Sequence, residues 1–253
     1  MAEIRRLADL HWPDVRAALE RGTRTVVAAA GSMEQHGPHL PFQTDTLLGT
    51  VLAEAVAARL DNVLVGPTIP FGVSDHHMAF PGTITLDVPT FQAVVRQYVA
   101  SLAQHGFTAV LVIPSHGGNF GPLRALEEET GGRIGGARFL PYTDLMAFLR
   151  VMEEAAAVDG ITPQVAGAHA GEAETSMVLA SRPDLVDMSQ AAEGFVGTFD
   201  DAAARLIFER GMTALTANGI LGDARPAAAA RGQRYIASLA DMLADYFRER
   251  LPE

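Results

Sequence analysis

The sequence predicts an α/β fold, a mostly parallel central sheet flanked by helices, in a single domain over residues 1–253. Three observations carry this expectation: short β-branched runs stopped by glycine or proline, longer segments of helical hydrophobic period between them, and polar residues gathered just after the apolar runs. The runs are TVVAAAG at 25–31, NVLVGPTIP at 62–70 and TAVLVIP at 108–114. Apolar on successive positions, they fit strands covered on both faces, as parallel strands are.

The helices follow from spacing. Leu47, Leu48, Val51, Leu52 and Val56 recur at helical intervals after the first run. Phe91, Val94, Val95, Tyr98, Val99 and Leu102 do the same behind Pro89, which suits a first helical turn. Ile236, Leu239, Leu243, Tyr246 and Phe247 predict an amphipathic C-terminal helix packed on the sheet or on another subunit. The alanine run in ARPAAAARGQ, 224–233, reads as a helix start near a tight contact, and Met33, Met78 and Met177 read as core filler.

Composition narrows the function classes. With 48% apolar and 19% charged residues the chain is globular, and a net charge of −11 with no run of Lys or Arg argues against nucleic acid as a partner. The charged N-terminal stretch lacks an apolar signal core, and no run approaches the ~18 apolar residues of a membrane span, so a cytoplasmic protein is expected. There is no cysteine, so any metal must be held by imidazoles and carboxylates.

Polar residues load the strand exits. The first run leads into GSMEQHGPHLPFQTDT, the third into SHGGN, and GVSDHHMAFPGT follows the second. Of the eight histidines, all but His11 and His105 fall in these loops or in GAHAGEAETS at 167–176. Taken singly, His39, His76 and His77 read as structural residues. Glu34, His36, Asp45, His116 and one glutamate of the pair Glu172 and Glu174 read jointly as a metal site, because two imidazoles and three carboxylates suit Zn²⁺, Mn²⁺ or Fe²⁺. Five donors exceed the need of one tetrahedral ion, whereas two ions sharing a carboxylate such as Asp45 would use them all and activate water for hydrolysis.

Five motifs, GSMEQHGPHLPFQTDT, SDHHMAFPGTITL, HGGN, HAGEAETS and GILGDARPA, come in the order seen in the creatininase (creatinine amidohydrolase) superfamily, which the chain resembles over nearly its whole length. The resemblance implies an α/β metal-dependent amidohydrolase with two divalent ions, Zn²⁺ or Mn²⁺ with Fe²⁺ in some branches, acting on a small amide as a homo-oligomer, often a hexamer. It implies that Glu34, His36, Asp45, His116 and Glu174 are ligands and that His169 transfers a proton; Glu172 is a second candidate for proton transfer. Creatinine-hydrolysing members carry a tyrosine and a glutamate where this chain has Gly117 and Gly118, and they cover their substrate with tryptophans, whereas Trp12 is the only one here. The HGGN form also occurs in formamide deformylases and in peptidases of redox-cofactor maturation, which are the alternatives within the superfamily. A non-catalytic metal- or ligand-binding protein of the same fold is the alternative of another class.

Overall fold

A computed structural model describes residues 5–251; residues 1–4 and 252–253 of the expected domain lie outside them. In chain order the regular elements are α1 (Trp12–Glu20), β1 (Thr25–Ala30), α2 (Thr44–Ala57), β2 (Val63–Val65), α3 (Val88–Gln104), β3 (Ala109–Pro114), α4 (Phe120–Thr130), β4 (Arg133–Ile134), β5 (Ala137–Pro141), α5 (Leu145–Ala157), α6 (Pro163–Ala166), α7 (Glu172–Ser181), α8 (Asp201–Arg210) and α9 (Ala229–Arg248). The five strands form one sheet in the order β2-β1-β3-β5-β4, parallel except for the short β4–β5 pair.

Alternation along the strands builds two cores. Val27, Ala29, Leu111 and Ile113 face one side, where α2, α5, α7 and α9 supply Leu52, Met152, Met177 and Leu239. Val26, Ala30, Val110 and Val112 face the other, against Phe91, Val95 and Val99 of α3 and Leu123 and Leu126 of α4. A strand's side chains alternate with period two, so strands sandwiched between helix layers must be apolar throughout, as β1 and β3 are.

The second run shortens to Val63–Val65, because Pro67 and Pro70 have no N–H to offer a ladder. The chain rejoins the sheet at Ile69, whose N–H donates to the Ala29 carbonyl at 2.9 Å and whose carbonyl accepts from Gly31 at 2.9 Å. Helix α3 starts where Pro89 permits, with Asp87 accepting from the Thr90 N–H at 2.7 Å. The alanine run does begin α9, and the tight contact lies at Gly232, where a Cβ would stand 1.9 Å from the Ser176 carbonyl oxygen. Met177 is buried as expected, but Met78 is 52% exposed and fills no core. No helix among the described residues is long and apolar enough to cross a membrane.

Strand order fixes where the site lies. From β1 the chain crosses to β2 on one side and then to β3 on the other, so loops leaving the carboxyl ends of β1 and β3 diverge and open a crevice between them.

Candidate metal centre

Each polar loop of the sequence reaches that crevice by its own route. Glu34 and His36 follow β1; Gly31 lets this loop lie against α2, since a Cβ there would come within 2.8 Å of the Thr46 backbone. Asp45 is in the first turn of α2, His77 in a short helical turn at Asp75–His77 after β2, and His116 directly after β3. His169 and Glu174 come from the far end of the chain, His169 bridged to Leu221 and Glu174 in the first turn of α7. Between them Ala170 has φ +52°, a left-handed conformation unusual for alanine, and its N–H donates to Glu174 Oε2 at 2.5 Å.

Asn119 staples the loops together. Its amide donates to the Ala30 and Gly31 carbonyls at 3.0 Å each, and its Oδ1 accepts from the Val73 N–H at 3.1 Å. The two glycines before it differ: a Cβ on Gly118 would stand 2.1 Å from the Val73 carbonyl oxygen, whereas one on Gly117 would meet nothing within 4 Å.

The donors converge in overlapping groups. Glu34, Asp45 and His116 lie within 4.8 Å of one another through one atom each, and so do His36, Asp45 and Glu174, so Asp45 is common to both. His116 Nδ1 is 3.1 Å from Glu34 Oε1 and 3.4 Å from Asp45 Oδ2, and His36 Nε2 is 3.1 Å from Asp45 Oδ1 and 3.9 Å from Glu174 Oε2. A third group, Glu34, His36 and His169, meets the same limit.

Hydrogen bonds outside the cluster aim the rings. His116 donates through Nε2 to the Val73 carbonyl at 2.9 Å, and His36 through Nδ1 to the Glu34 carbonyl at 3.1 Å, which turns the other nitrogen of each toward the carboxylates. His169 Nε2 donates to the Gln35 carbonyl at 2.8 Å, leaving Nδ1 toward Glu34 Oε1 at 3.8 Å. The Gln35 amide sits 3.0 Å from His77 Nδ1 and 3.2 Å from the Gly219 carbonyl, so the other nitrogen of His77 faces Glu34 Oε1 at 3.3 Å. His77, which reads from the sequence as structural, is thus a neighbour of the cluster; its pairing with Gln35, 42 residues away, had no sequence signal.

The electrostatics are those of crowded negative charge. Burial works against the charge on Glu34, but His116 and His77 outweigh it and hold the carboxyl well below its usual range. Burial likewise opposes charge on Asp45, and His36 and His116 bring it to about 2. His36 is pushed up to about 9 by Asp45 and Glu174 against its own burial, and His116 is raised well above its usual value by Glu34 and Asp45. Glu174 is pushed up to about 7 by burial and by the charge of Asp45, against the pull of His36. His169 and His77 are pushed well below the usual histidine value by burial, and they stay neutral. Both Glu34 oxygens and Asp45 Oδ2 are buried without a hydrogen-bond partner among the described residues. Buried carboxylate oxygens carry a heavy desolvation cost unless a cation meets them, so this donor set fits divalent ions held by oxygen and imidazole.

Glu172 is placed elsewhere. Its Oε1 accepts from Arg231 Nε at 2.6 Å and from the Ser176 hydroxyl at 2.7 Å, and its Oε2 from the Tyr235 hydroxyl at 2.5 Å. This surrounding argues against the expected proton-transfer role, since both oxygens are engaged by α7 and α9. His39 is also held away, its Nε2 2.8 Å from the Thr175 hydroxyl.

Fold and cluster together define an α/β protein with a buried oxygen and imidazole donor set at a topological switch point. The family described as creatininase, creatinine amidohydrolase, matches residues 8–247. The mycofactocin precursor peptide peptidase of Mycolicibacterium smegmatis is 30% identical over 90% of this chain and 86% of its own length. The creatinine amidohydrolase of Pseudomonas putida is 26% identical over 97% of each chain. Among solved structures, a creatininase point mutant in a Zn-Zn form superposes with TM-score 0.75 at 26% identity over 100% of both chains, and a manganese form of creatininase with TM-score 0.74 at 25% identity over 99% of this chain and 100% of that one. The chain belongs to the creatininase family, and its named relatives are hydrolases of amide C–N bonds.

Proposed function

We propose that this protein hydrolyses an amide C–N bond with two divalent ions, held by Glu34, Asp45 and His116 on one side and by His36, Asp45 and Glu174 on the other. The observation that supports it most is the sharing of Asp45 between two donor groups, in which both Glu34 oxygens and Asp45 Oδ2 are buried without a hydrogen-bond partner among the described residues. When bound, ions of this kind polarise a carbonyl and lower the pKa of water toward neutrality. Zinc and manganese are the candidates, since relatives of this fold are known in Zn-Zn and manganese forms.

The chain's own residues supply the proton path. His169 is neutral, its Nε2–H is fixed on the Gln35 carbonyl, and its Nδ1 lone pair faces the cluster. It accepts a proton from the attacking water at Nδ1 and returns it to the departing nitrogen, so that the C–O bond forms, the C–N bond breaks and a neutral amine leaves. His77, tied to Gln35, orients Glu34. Glu172 stays outside this path and anchors α7 instead.

Among the two named substrate types, a peptide or other extended amide is favoured over creatinine. Trp12, the only tryptophan, is 68% exposed on α1, where Arg16 covers its ring, and cannot close over a flat substrate in the crevice. Exposed Val158 and Val196 support a homo-oligomer, with a hexamer the form the resemblance implies; sedimentation at micromolar concentration showing only a monomer would overturn that part. The reading as a whole is tested by loading the protein with zinc or manganese and assaying formamides, lactams, creatinine and short peptides. Turnover by the chelated protein equal to that of the loaded one would refute it.

A further inference from the structure

The crevice has two compartments of unequal size. The inner one, about 60 Å³, is lined by Glu34, His77, His116 and His169 on one side and by apolar residues such as Leu149 and Met212 on the other, and has room for about two waters or one amide group. The outer one is about 440 Å³, within the range of small-molecule sites, and its wall is mostly apolar, with Val73, Val88, Phe120, Leu145 and Phe208. His76, Gly117, Leu145 and Phe208 line both, so the two adjoin. A substrate whose amide reaches the inner compartment has the outer one beside it for its remainder.

We propose that the outer cavity seats an apolar side group, aromatic or branched aliphatic, attached next to the scissile amide, and that Gly117 keeps the passage between the compartments open. The inference rests on the amide-hydrolase reading for the position of the scissile bond. Three features support the ligand chemistry. Among the described residues, Asp75 and Arg124 are the only charged side chains on the wall, and the Arg124 guanidinium already donates to the Thr143 carbonyl. The His76 ring packs edge-on against Phe208 with centroids 4.7 Å apart, so the two aromatic rings form one wall of the cavity. Phe208 and Val88 are 52% and 39% exposed, so apolar surface stands uncovered at the cavity itself. Gly117 is not in the left-handed region and has open space where its Cβ would be, so no backbone or packing demand accounts for a glycine there, unlike Gly118.

The test compares Gly-Gly-Phe with Gly-Gly-Gly on the chelated protein, where nothing turns over, by saturation-transfer NMR, and on the zinc-loaded protein by kcat/KM. Burying one phenylalanine side chain should make Gly-Gly-Phe bind roughly 10- to 100-fold tighter. Gly117→Phe, which fills the passage, should erase that preference. Val88→Asp places a charge on the wall at a first-turn position of α3 where an acid is tolerated, and should cut the preference several-fold. Equal binding of the two peptides, no binding of either, or a preference that survives both substitutions overturns the proposal. Failure of the amide-hydrolase reading looks different: no peptide is turned over by the loaded protein while the binding preference and its loss in the variants remain.

Discussion

Two carboxylates in the first turn of one helix, the buried Glu172 and the half-buried Glu174, meet opposite fates. Glu172 is fully enclosed and fully satisfied: Arg231 neutralises it, and Ser176 and Tyr235 complete its hydrogen bonds. Glu174 sits among Asp45, Glu34 and His36, where charges of one sign outnumber their partners and carboxylate oxygens are left without hydrogen bonds. A buried carboxylate with its own arginine is a structural joint, whereas carboxylates that share histidines and keep oxygens without hydrogen bonds form a donor set that suits a divalent cation, as proposed above. On the proposed reading, the difference separates the part of α7 that holds the fold from the part that faces the metal cluster.

The largest effect should come from breaking the second kind of site. Prolonged chelation should abolish turnover and zinc or manganese should restore it, and His116→Ala should lower both metal content and rate. Elemental analysis finding the His116→Ala protein fully loaded would remove that residue from the ligand set.

His169→Ala sharpens the comparison from inside the crevice. It should keep close to two ions per chain and lose roughly 10²- to 10⁴-fold in rate, the range for a positioned proton-transfer group. Loss of an ion together with the ring would instead make His169 a ligand, as its group with Glu34 and His36 allows geometrically.

Glu172→Ala strikes the satisfied carboxylate. It leaves the Arg231 guanidinium without its carboxylate at the joint between α7 and α9, with only the Pro226 carbonyl to meet it, and the cost should be about 3–5 kcal/mol of stability, read by denaturant unfolding. The folded variant should retain its ions; a rate loss at unchanged stability would return Glu172 to the catalytic group.

The pH dependence divides the two regions more finely. Without ions, His36 at about 9 and Glu174 at about 7 carry protons near neutrality, and a ligand must shed its proton to bind. Metal affinity should therefore rise with pH from 6 to 9, with proton release measurable by calorimetry in buffers of different ionisation enthalpy. His39 behaves in the opposite sense, because burial, aided by the charge of His36, lowers it to about 4. Its neutral form contributes stability above pH 6.5 that is lost as pH falls through 4, since only the unfolded chain takes up the proton readily. His39→Ala should cost about 1–3 kcal/mol through the lost bond to Thr175, keep the metals and flatten the acid limb of the stability profile. An unchanged acid limb would count against the buried neutral ring.

Much of the scaffold is legible without coordinates. The runs at 25–31 and 108–114 are strands because nothing polar interrupts them and glycine or proline ends them, and α2, α3 and α9 announce themselves by period. The second run overreaches, since prolines cut it to three residues. Strand β5, ARFLP, escapes notice because Arg138 and Pro141 disguise an apolar segment, and its place beside β3 is a pairing, not a composition. Residue types at the strand exits reveal the kind of site, since imidazoles and carboxylates without cysteine leave few chemistries open.

The sequence by itself determined the parallel sheet, the crevice at its carboxyl ends and the residue types that line it, because these depend on local period and on loops that follow strands directly. On the helix that begins at Glu172, positions 172 and 174 are about 200° apart, so the two carboxylates cannot both face the crevice. Which of them faces the crevice was decided only by tertiary structure. Arg231 and Tyr235 of α9, about sixty residues farther on, arrive beside α7 through packing at Gly232 and capture one carboxylate, and the other is left to the histidines across the sheet. A contact of that separation has no local signature, because its energy is realised only when both helices are already in place.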